Sequence, residues 1–452
     1  MVFIREKNKR YSVRMTFFER FSFNKKTRRL VISISLPVYT VYKTVLPMKT
    51  WIKAIAAGAV VSAMVYSCSK DDDFWKSLIP ETDQEPTATQ IKGYIFRPAL
   101  APATDDNVGQ LKVPAGFTVK KFAEDLGKPR ILAVSSAGNV YFSDREAGIV
   151  VMLKDSDGDG VSDSKQTVAT IKQAHGLAIK NSTMYITGVK EVYTASIAAD
   201  GTLSQPVMII SDLPDGGQHP NRTIDIGPDG LLYISVGSTC NSCPEPNPMS
   251  ATLVRANADG TGKKVFAKGL RNTIGFGWHP VSGELWGMDH GIDWLGDNEQ
   301  VEELNQIKQD GNYGWPYIYG EGKYNPGDRP KGDTTYSEYL KLTTLPVLGY
   351  EAHSAPMQMA FYTGSKFPSE YQNDAFIAMR GSWNRSVPAG YKVVRLHFEN
   401  GKPVRFDDFL TGFLVNNNRS HFGRLVGVAV HSDGSLLVSD DTNGVIYRVA
   451  NQ

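Results

Sequence analysis

The sequence predicts an all-β chain folded as a six-bladed β-propeller of four-stranded antiparallel blades. Two observations carry this. A turn-and-strand unit returns six times, and 42 Gly with 47 aromatics among 452 residues suit many turns between short aromatic-rich strands. The prediction concerns residues 111–452, and what precedes them reads differently.

Residues 1–47 hold 11 basic and two acidic residues, net +9. They read most simply as an overcalled start upstream of Met48, with a basic membrane-surface arm as the alternative. Met48-Lys49-Thr50-Trp51-Ile52-Lys53 is followed by an apolar run over 54–66 and by Ser67-Cys68. A short basic segment and about 13 apolar residues make a secretory signal too short to span a bilayer. Its end looks like a bacterial lipobox, in which the Cys68 thiol is acylated. An ordinary hydrophobic anchor containing a cysteine is the alternative. Residues 48–67 are thus expected to be a lipoprotein signal peptide, and 68–110 the acylated cysteine with a flexible tether. The expected location is the bacterial cell envelope, lipid-anchored, periplasmic or surface-facing, with the membrane met only through the lipid.

From Cys68 onward there are 36 basic and 45 acidic residues, net −9. No basic domain remains to neutralise phosphates, which argues against nucleic acid as a partner.

The repeat is a Gly, Asp or Asn turn, an alternating strand and a small or acidic end. Its copies fall at 137–144, 181–188, 228–237, 282–289, 372–379 and 432–440. Six copies over about 342 residues give about 57 each, near the roughly 40–50 of propeller repeats with loop insertions. The longest insertion lies near 311–350, and 117–122 is expected to complete the last blade. A propeller is a binding platform, so chemistry is sought in the loops around its channel.

There is no HExxH, Walker loop, GxGxxG opening a helix, or GxSxG elbow. Cys240 and Cys243 lack the His of a haem-attachment motif and make a poor zinc site, so a local disulfide is the better reading in an oxidising envelope. Asp155, Asp157, Asp159 and Asp163 alternate around glycines, a spacing that suits a structural Ca²⁺ and equally a solvated hairpin tip. Gln218-His219-Pro220-Asn221-Arg222 lies on a Gly-rich loop entering the third copy. A histidine there, titrating near neutrality, suits general-base work. Arg271-Asn272, His290-Gly291-Ile292, Arg380 and Arg424 recur at corresponding places in other copies. Such phase converges cationic and amide groups on one axial pocket, fit for a planar polyanion.

These segments, with Gly311-Asn312-Tyr313-Gly314-Trp315-Pro316 and Gly381-Ser382-Trp383-Asn384-Arg385, resemble the soluble glucose/sorbosone dehydrogenases. Those are six-bladed propellers that use pyrroloquinoline quinone (PQQ) and calcium, and the sorbosone-type branch is the nearer one. The resemblance implies His219 as general base, with Arg271 and Asn272 beside the quinone oxygens. It implies Gly291 and Ile292 as backbone ligands of the catalytic calcium and Arg424 as partner of a cofactor carboxylate. Arg380 stands where the glucose enzymes have lysine. Gln218, His175 and His353 are further cofactor-side candidates. Val426 stands in place of a second arginine, Ile292 in place of a proline, and the Cys240 loop in place of a contacting glutamine. The implied activity is oxidation of an aldose hemiacetal or aldehyde hydrate to lactone or acid. The partners would be a sugar or sugar-aldehyde substrate and a separate electron acceptor. The alternatives are a calcium-dependent hydrolase of lactonase type and a non-catalytic carbohydrate-binding propeller.

Overall fold

The computed structural model describes four strands near the amino terminus and the run from Phe96 to Gln452. Those four strands form two hairpins, Val2–Glu6 with Lys9–Val13 and Arg20–Asn24 with Arg29–Ser33. The signal segment 48–67, Cys68 and the tether to residue 95 lie outside the described residues.

Six four-stranded antiparallel sheets make the body. Their first strands are Pro129–Val134, Leu177–Lys180, Ile224–Ile226, Thr273–Trp278, Pro356–Phe361 and Leu425–Val430. Their second strands are Val140–Asp144, Thr183–Thr187, Leu232–Val236, Leu285–Asp289, Ala375–Met379 and Leu436–Asp440. Each sequence copy therefore supplies the second strand of one blade. In five of the six, every residue of that strand is buried. A strand with a neighbouring blade on both faces has no wet side, which makes it read as a continuous apolar run. The outer strands differ. Ser164–Thr170 and Val207–Ile210 are largely exposed, as sheet edges facing water should be.

Phe117–Ala123 pairs with Val445–Asn451 as the outer strand of blade 6, so the two ends of the body share one sheet and close the ring. The insertion in blade 4 forms a short hairpin, Ile318–Tyr319 with Lys323–Tyr324, and a helix, Tyr336–Lys341, opened by a Thr335/Glu338 capping box.

The described chain joins the propeller ahead of residue 111, where the sequence predicts the domain to begin. Phe96 bridges to Asn384, Ala99–Leu100 pairs with Ser420–His421, and Thr104 caps a helix over Asp105–Gly109 that buries Val108. Main-chain pairing, which leaves no mark in an apolar pattern, fixes the chain to the propeller from Phe96 onward.

Candidate active site

First strands begin, and second strands end, at one end of the axial channel. Hydrogen bonds between blades secure that end. Ser143 Oγ donates to the His175 carbonyl (2.6 Å) and Thr187 Oγ1 to the Arg222 carbonyl (2.9 Å). The Ser238 N–H donates to the Arg271 carbonyl (2.7 Å), and Ser439 Oγ to the Arg130 carbonyl (2.6 Å). At four junctions, the end of one blade's second strand thus grips the main chain of a polar residue where the next blade begins.

The acidic residues that end several copies have a matching task. Asp289 accepts from the N–H groups of Arg271 and Asn272, both at 2.7 Å, and from Thr273 Oγ1. Asp440 accepts from the Arg424 N–H (2.8 Å), and Asp144 from the Lys128 N–H (2.9 Å). Burial pushes the Asp289 and Asp440 carboxyls up to about 6, against these hydrogen bonds.

His219 keeps part of its surface open. Its Nδ1 lies 2.9 Å from the Ser238 carbonyl, which can only accept, and 2.8 Å from Ser238 Oγ, whose own proton goes to the Cys240 carbonyl, so Nδ1 carries the proton and Nε2 the lone pair. Arg222 is fully buried and donates to the carbonyls of Val189, His219 and Pro214, fixing the loop that holds the imidazole. Gly237 packs so closely that a Cβ there would meet His219 Cβ at 2.6 Å and Asn272 Oδ1 at 2.7 Å. A value near neutrality is not what the site gives His219. Burial first, then the Arg271, His290 and Arg222 charges, push it down to about 3, so the imidazole is neutral at neutral pH.

Arg271 is buried, with Nε and Nη2 donating to the main-chain and side-chain oxygens of Asn241 at 2.9 and 2.8 Å. Its nearest carboxylate, Asp293, is 3.7 Å away. Arg380 and Arg130 share Asp441, Arg380 Nη2 reaching both of its oxygens and Arg130 Nη1 one at 2.5 Å. Arg424 donates to the carbonyls of Arg380 and Gly381. His175 is fully buried, its Nδ1 at 3.0 Å from the Arg222 carbonyl. These charges influence one another around the axis, from His219 to Arg271, His290, Arg380, Arg424, Arg130, Arg145 and His175.

Of these groups, Arg130, Arg145 and Arg380 line a cavity of about 430 Å³ together with Lys128, Glu146, Asn221 and Asp441, a size within the ~300–1,000 Å³ of small-molecule sites. Buried polar atoms here have no protein partner: Nε of Arg130, Arg145 and Arg380, Oδ1 of Asn221 and, beside them, His175 Nε2. Buried polar atoms are normally satisfied, and the lining itself sets four cationic side chains, Lys128, Arg130, Arg145 and Arg380, against two carboxylates, Glu146 and Asp441. The surplus of donors calls for an anion.

Other expected residues are placed as follows. Gln218 is exposed, its N–H donating to the Thr239 carbonyl. His353 donates from Nε2 to the Gly296 carbonyl (2.8 Å), and its Nδ1 faces Asn384 and Asp293. The N–H groups of Gly291, Ile292 and Asp293 donate to Glu302, Gln300 and Asn241. Val426 is fully buried. Cys240 and Cys243 form the disulfide. Asp155, Asp157 and Asp159 bring carboxylate oxygens within 4.8 Å of one another, whereas Asp163 instead accepts from the Ser156 N–H. Sequence reasoning missed Arg130, Arg145, Asn221 and Asp441. The repeat phase holds a signal for two of them, since Arg145 and Asp441 each directly follow a second strand, as Arg380 does.

Fold and pocket together define a six-bladed propeller with a cationic axial site. The chain belongs to the TrAA12-like family, whose pattern matches residues 111–452. It is 31% identical over 364 residues to an uncharacterized protein of Borreliella burgdorferi, covering 77% of this chain and 92% of that one. It is 23% identical over 419 residues to a pyrroloquinoline quinone-dependent sugar dehydrogenase of Hypocrea jecorina, covering 78% and 94%. Among solved structures, a Trichoderma reesei enzyme of carbohydrate-active family AA12 superposes with a TM-score of 0.67 at 22% identity, over 76% of this chain and 98% of that one. The chain thus belongs to a family of sugar oxidoreductases that includes a PQQ-dependent relative.

Proposed function

We propose that this protein is a PQQ- and calcium-dependent sugar dehydrogenase that oxidises an aldose hemiacetal or aldehyde hydrate to the lactone or acid. The observation that carries the reading is the set of unpartnered Arg130, Arg145 and Arg380 Nε atoms, with Asn221 Oδ1 and His175 Nε2, around one cavity. A planar tricarboxylate with ring oxygens fits such donors, and the kinship to a PQQ-dependent sugar dehydrogenase supports that choice. Arg130, Arg145, Arg380 and Arg424 would hold its carboxylates, and Arg271 with Asn272 its quinone edge. The Gly291 and Ile292 carbonyls are the hard oxygen donors calcium prefers. When bound, PQQ supplies the two-electron acceptor for hydride, with calcium as Lewis acid.

The chain's own residues do the rest. His219 Nε2, unprotonated and aimed away from Ser238, accepts the proton of the substrate hydroxyl. Its low basicity keeps it unprotonated across the neutral range, so it meets the substrate as a base. The Arg271 charge lies against the site where negative charge grows, and burial strengthens its effect. Trp294 and Trp383, packed edge to face at 5.2 Å with Arg97 over Trp383, offer aromatic faces to a sugar. Electrons would leave to a separate acceptor, and the Met48–Cys68 pattern supports a lipid anchor at the cell envelope. Among the described residues no helix is long and apolar enough to cross a membrane.

A lactonase-type hydrolase would need carboxylates converging on the axis. Asp289, Asp440 and Glu302 are instead engaged by main-chain N–H groups, and Asp441 by two arginines.

The test is to titrate the purified protein with PQQ in the presence of Ca²⁺ by absorbance, then assay aldoses with an artificial electron acceptor. Saturable binding with dye reduction is expected. His219→Ala should still bind cofactor while turnover falls by roughly 10²–10⁴-fold. Absence of binding at micromolar PQQ overturns the dehydrogenase and favours the hydrolase or a sugar-binding propeller.

A further inference from the structure

The Cys240–Cys243 disulfide closes a small loop at the end of blade 3. The two residues inside it face different partners. Ser242 Oγ joins Asp328 and Asn325 of the blade 4 insertion. Asn241 turns toward the site. Its Oδ1 accepts from Arg271 Nη2 (2.8 Å) and from the Asp293 N–H (2.9 Å), its Nδ2 donates to the Asp293 carbonyl (3.3 Å), and its own carbonyl accepts from Arg271 Nε (2.9 Å). One residue therefore holds two of the three nitrogens of a guanidinium that is nearly closed to solvent.

The contact with Asp293 has a second consequence. In a trans peptide, N–H and C=O point in opposite directions, and the 292–293 bond is not among the cis bonds of this chain. The Asp293 N–H shares its peptide unit with the Ile292 carbonyl. Tying that N–H to Asn241 turns the Ile292 oxygen to the opposite side. Gln300 Oε1 does the same for the Gly291 carbonyl by accepting the Ile292 N–H at 3.1 Å. The two carbonyls assigned to calcium are thus oriented by two side-chain amides. Only Asn241 also holds the catalytic-side cation.

We propose that Asn241 is a positioning residue for both Arg271 and the Ile292 carbonyl, and that the disulfide on either side of it holds it in place. This rests on the PQQ and calcium reading above. A loop that merely closed blade 3 would need neither an amide at this position nor its contacts across to blade 4. Partners that orient metal ligands typically change affinity by 10–100-fold when removed.

The experiment measures two constants on the full protein: PQQ affinity by absorbance at fixed Ca²⁺, and half-saturating Ca²⁺ by thermal shift at fixed PQQ. Asn241→Ala is expected to weaken both by about 10–100-fold while circular dichroism shows the native sheet content. Asn241→Asp keeps an oxygen for the Asp293 N–H, so it should restore the calcium requirement to within about threefold of the parent. The double variant Cys240→Ser/Cys243→Ser should weaken both constants in the same direction by a smaller factor. Unchanged constants in folded Asn241→Ala overturn the proposal, as does a lowered melting temperature with both constants intact, which is what a merely structural residue would give. Failure of Asn241→Asp to recover the calcium requirement overturns the carbonyl half. Unchanged constants in the serine variant overturn the role of the disulfide. If the parent protein itself binds no PQQ with calcium, the function reading falls, and this proposal with it.

Discussion

The two ends of the axial channel are built from the same six first strands and have opposite characters. The end where the first strands begin carries a cavity of about 430 Å³ lined by Arg130, Arg145, Arg380 and Lys128 against Glu146 and Asp441. The other end is larger, about 590 Å³, and is lined by Val134, Ile226, Trp278, Phe361 and Val430, with Lys180 and Asp225 as its ionisable groups. Gln358 lines this larger cavity and joins blade 5 to blades 1 and 6. Its Oε1 accepts the Leu132 N–H (2.9 Å) and the Val428 N–H (3.2 Å), and its Nε2 donates to the Leu132 carbonyl (2.8 Å). Size does not identify the functional end. The charge of the lining does, because four cations stand against two carboxylates at one end while mainly apolar side chains line the other, with one Lys and one Asp.

The comparison breaks most severely at Asp441. As Asp441→Asn, Arg130 and Arg380 lose the carboxylate they share, leaving two inward cations without a counter-charge. Breaking a buried pair in this way costs roughly 3–5 kcal/mol. A drop of several degrees in the melting temperature of the cofactor-free protein is expected, with PQQ raising it by more degrees than in the parent. Equal ligand-induced shifts in the two proteins would show that the arginines do not face the ligand. The other end yields less. Gln358→Leu leaves the Leu132 and Val428 N–H groups without an acceptor, at about 1–3 kcal/mol each. Stability should fall while PQQ affinity stays within about twofold. A large loss of affinity would mean that Gln358 belongs to the site.

These residues mark what the sequence carries and what it hides. The six copies are legible because second strands are apolar on both faces and turn on Gly, Asp or Asn. Ring closure by the segment after Pro114 is legible because one blade lacks its outer strand. His219, Arg271, Arg380 and Arg424 are legible through their common phase. Gln358 is not. Between Met357 and Met359 it reads as one polar residue in an ordinary strand, and its partners lie 226 and 70 residues away. Asp441 reads as a second acidic residue after Asp440, and only the fold brings Arg130, 311 residues distant, against it. The pKa of His219 is hidden for the same reason, since burial and the Arg271 charge belong to the folded state alone.

The smallest effect separates the two ends by sign. Burial raises the Asp225 carboxyl from its ordinary 3.8 to about 6, so folding favours its protonated form. Its contribution is full below about 4 and is lost as pH rises through 6. Burial and neighbouring cations lower His219 from 6.5 to about 3, so folding favours the neutral ring. Its contribution is full above 6.5 and is lost as pH falls toward 3. Melting temperatures of Asp225→Asn and His219→Asn, each subtracted from the parent between pH 4 and 8, should therefore slope in opposite directions. Asp225→Asn should gain on the parent toward pH 8, and His219→Asn toward pH 4. In the active enzyme the same displacement should leave kcat/KM without an inflection from His219 between pH 5 and 7. A flat difference for either variant would show that its group is solvated in solution. An inflection near 6.5 that vanishes with the histidine would identify His219 as that group and place its ring in water rather than among the arginines.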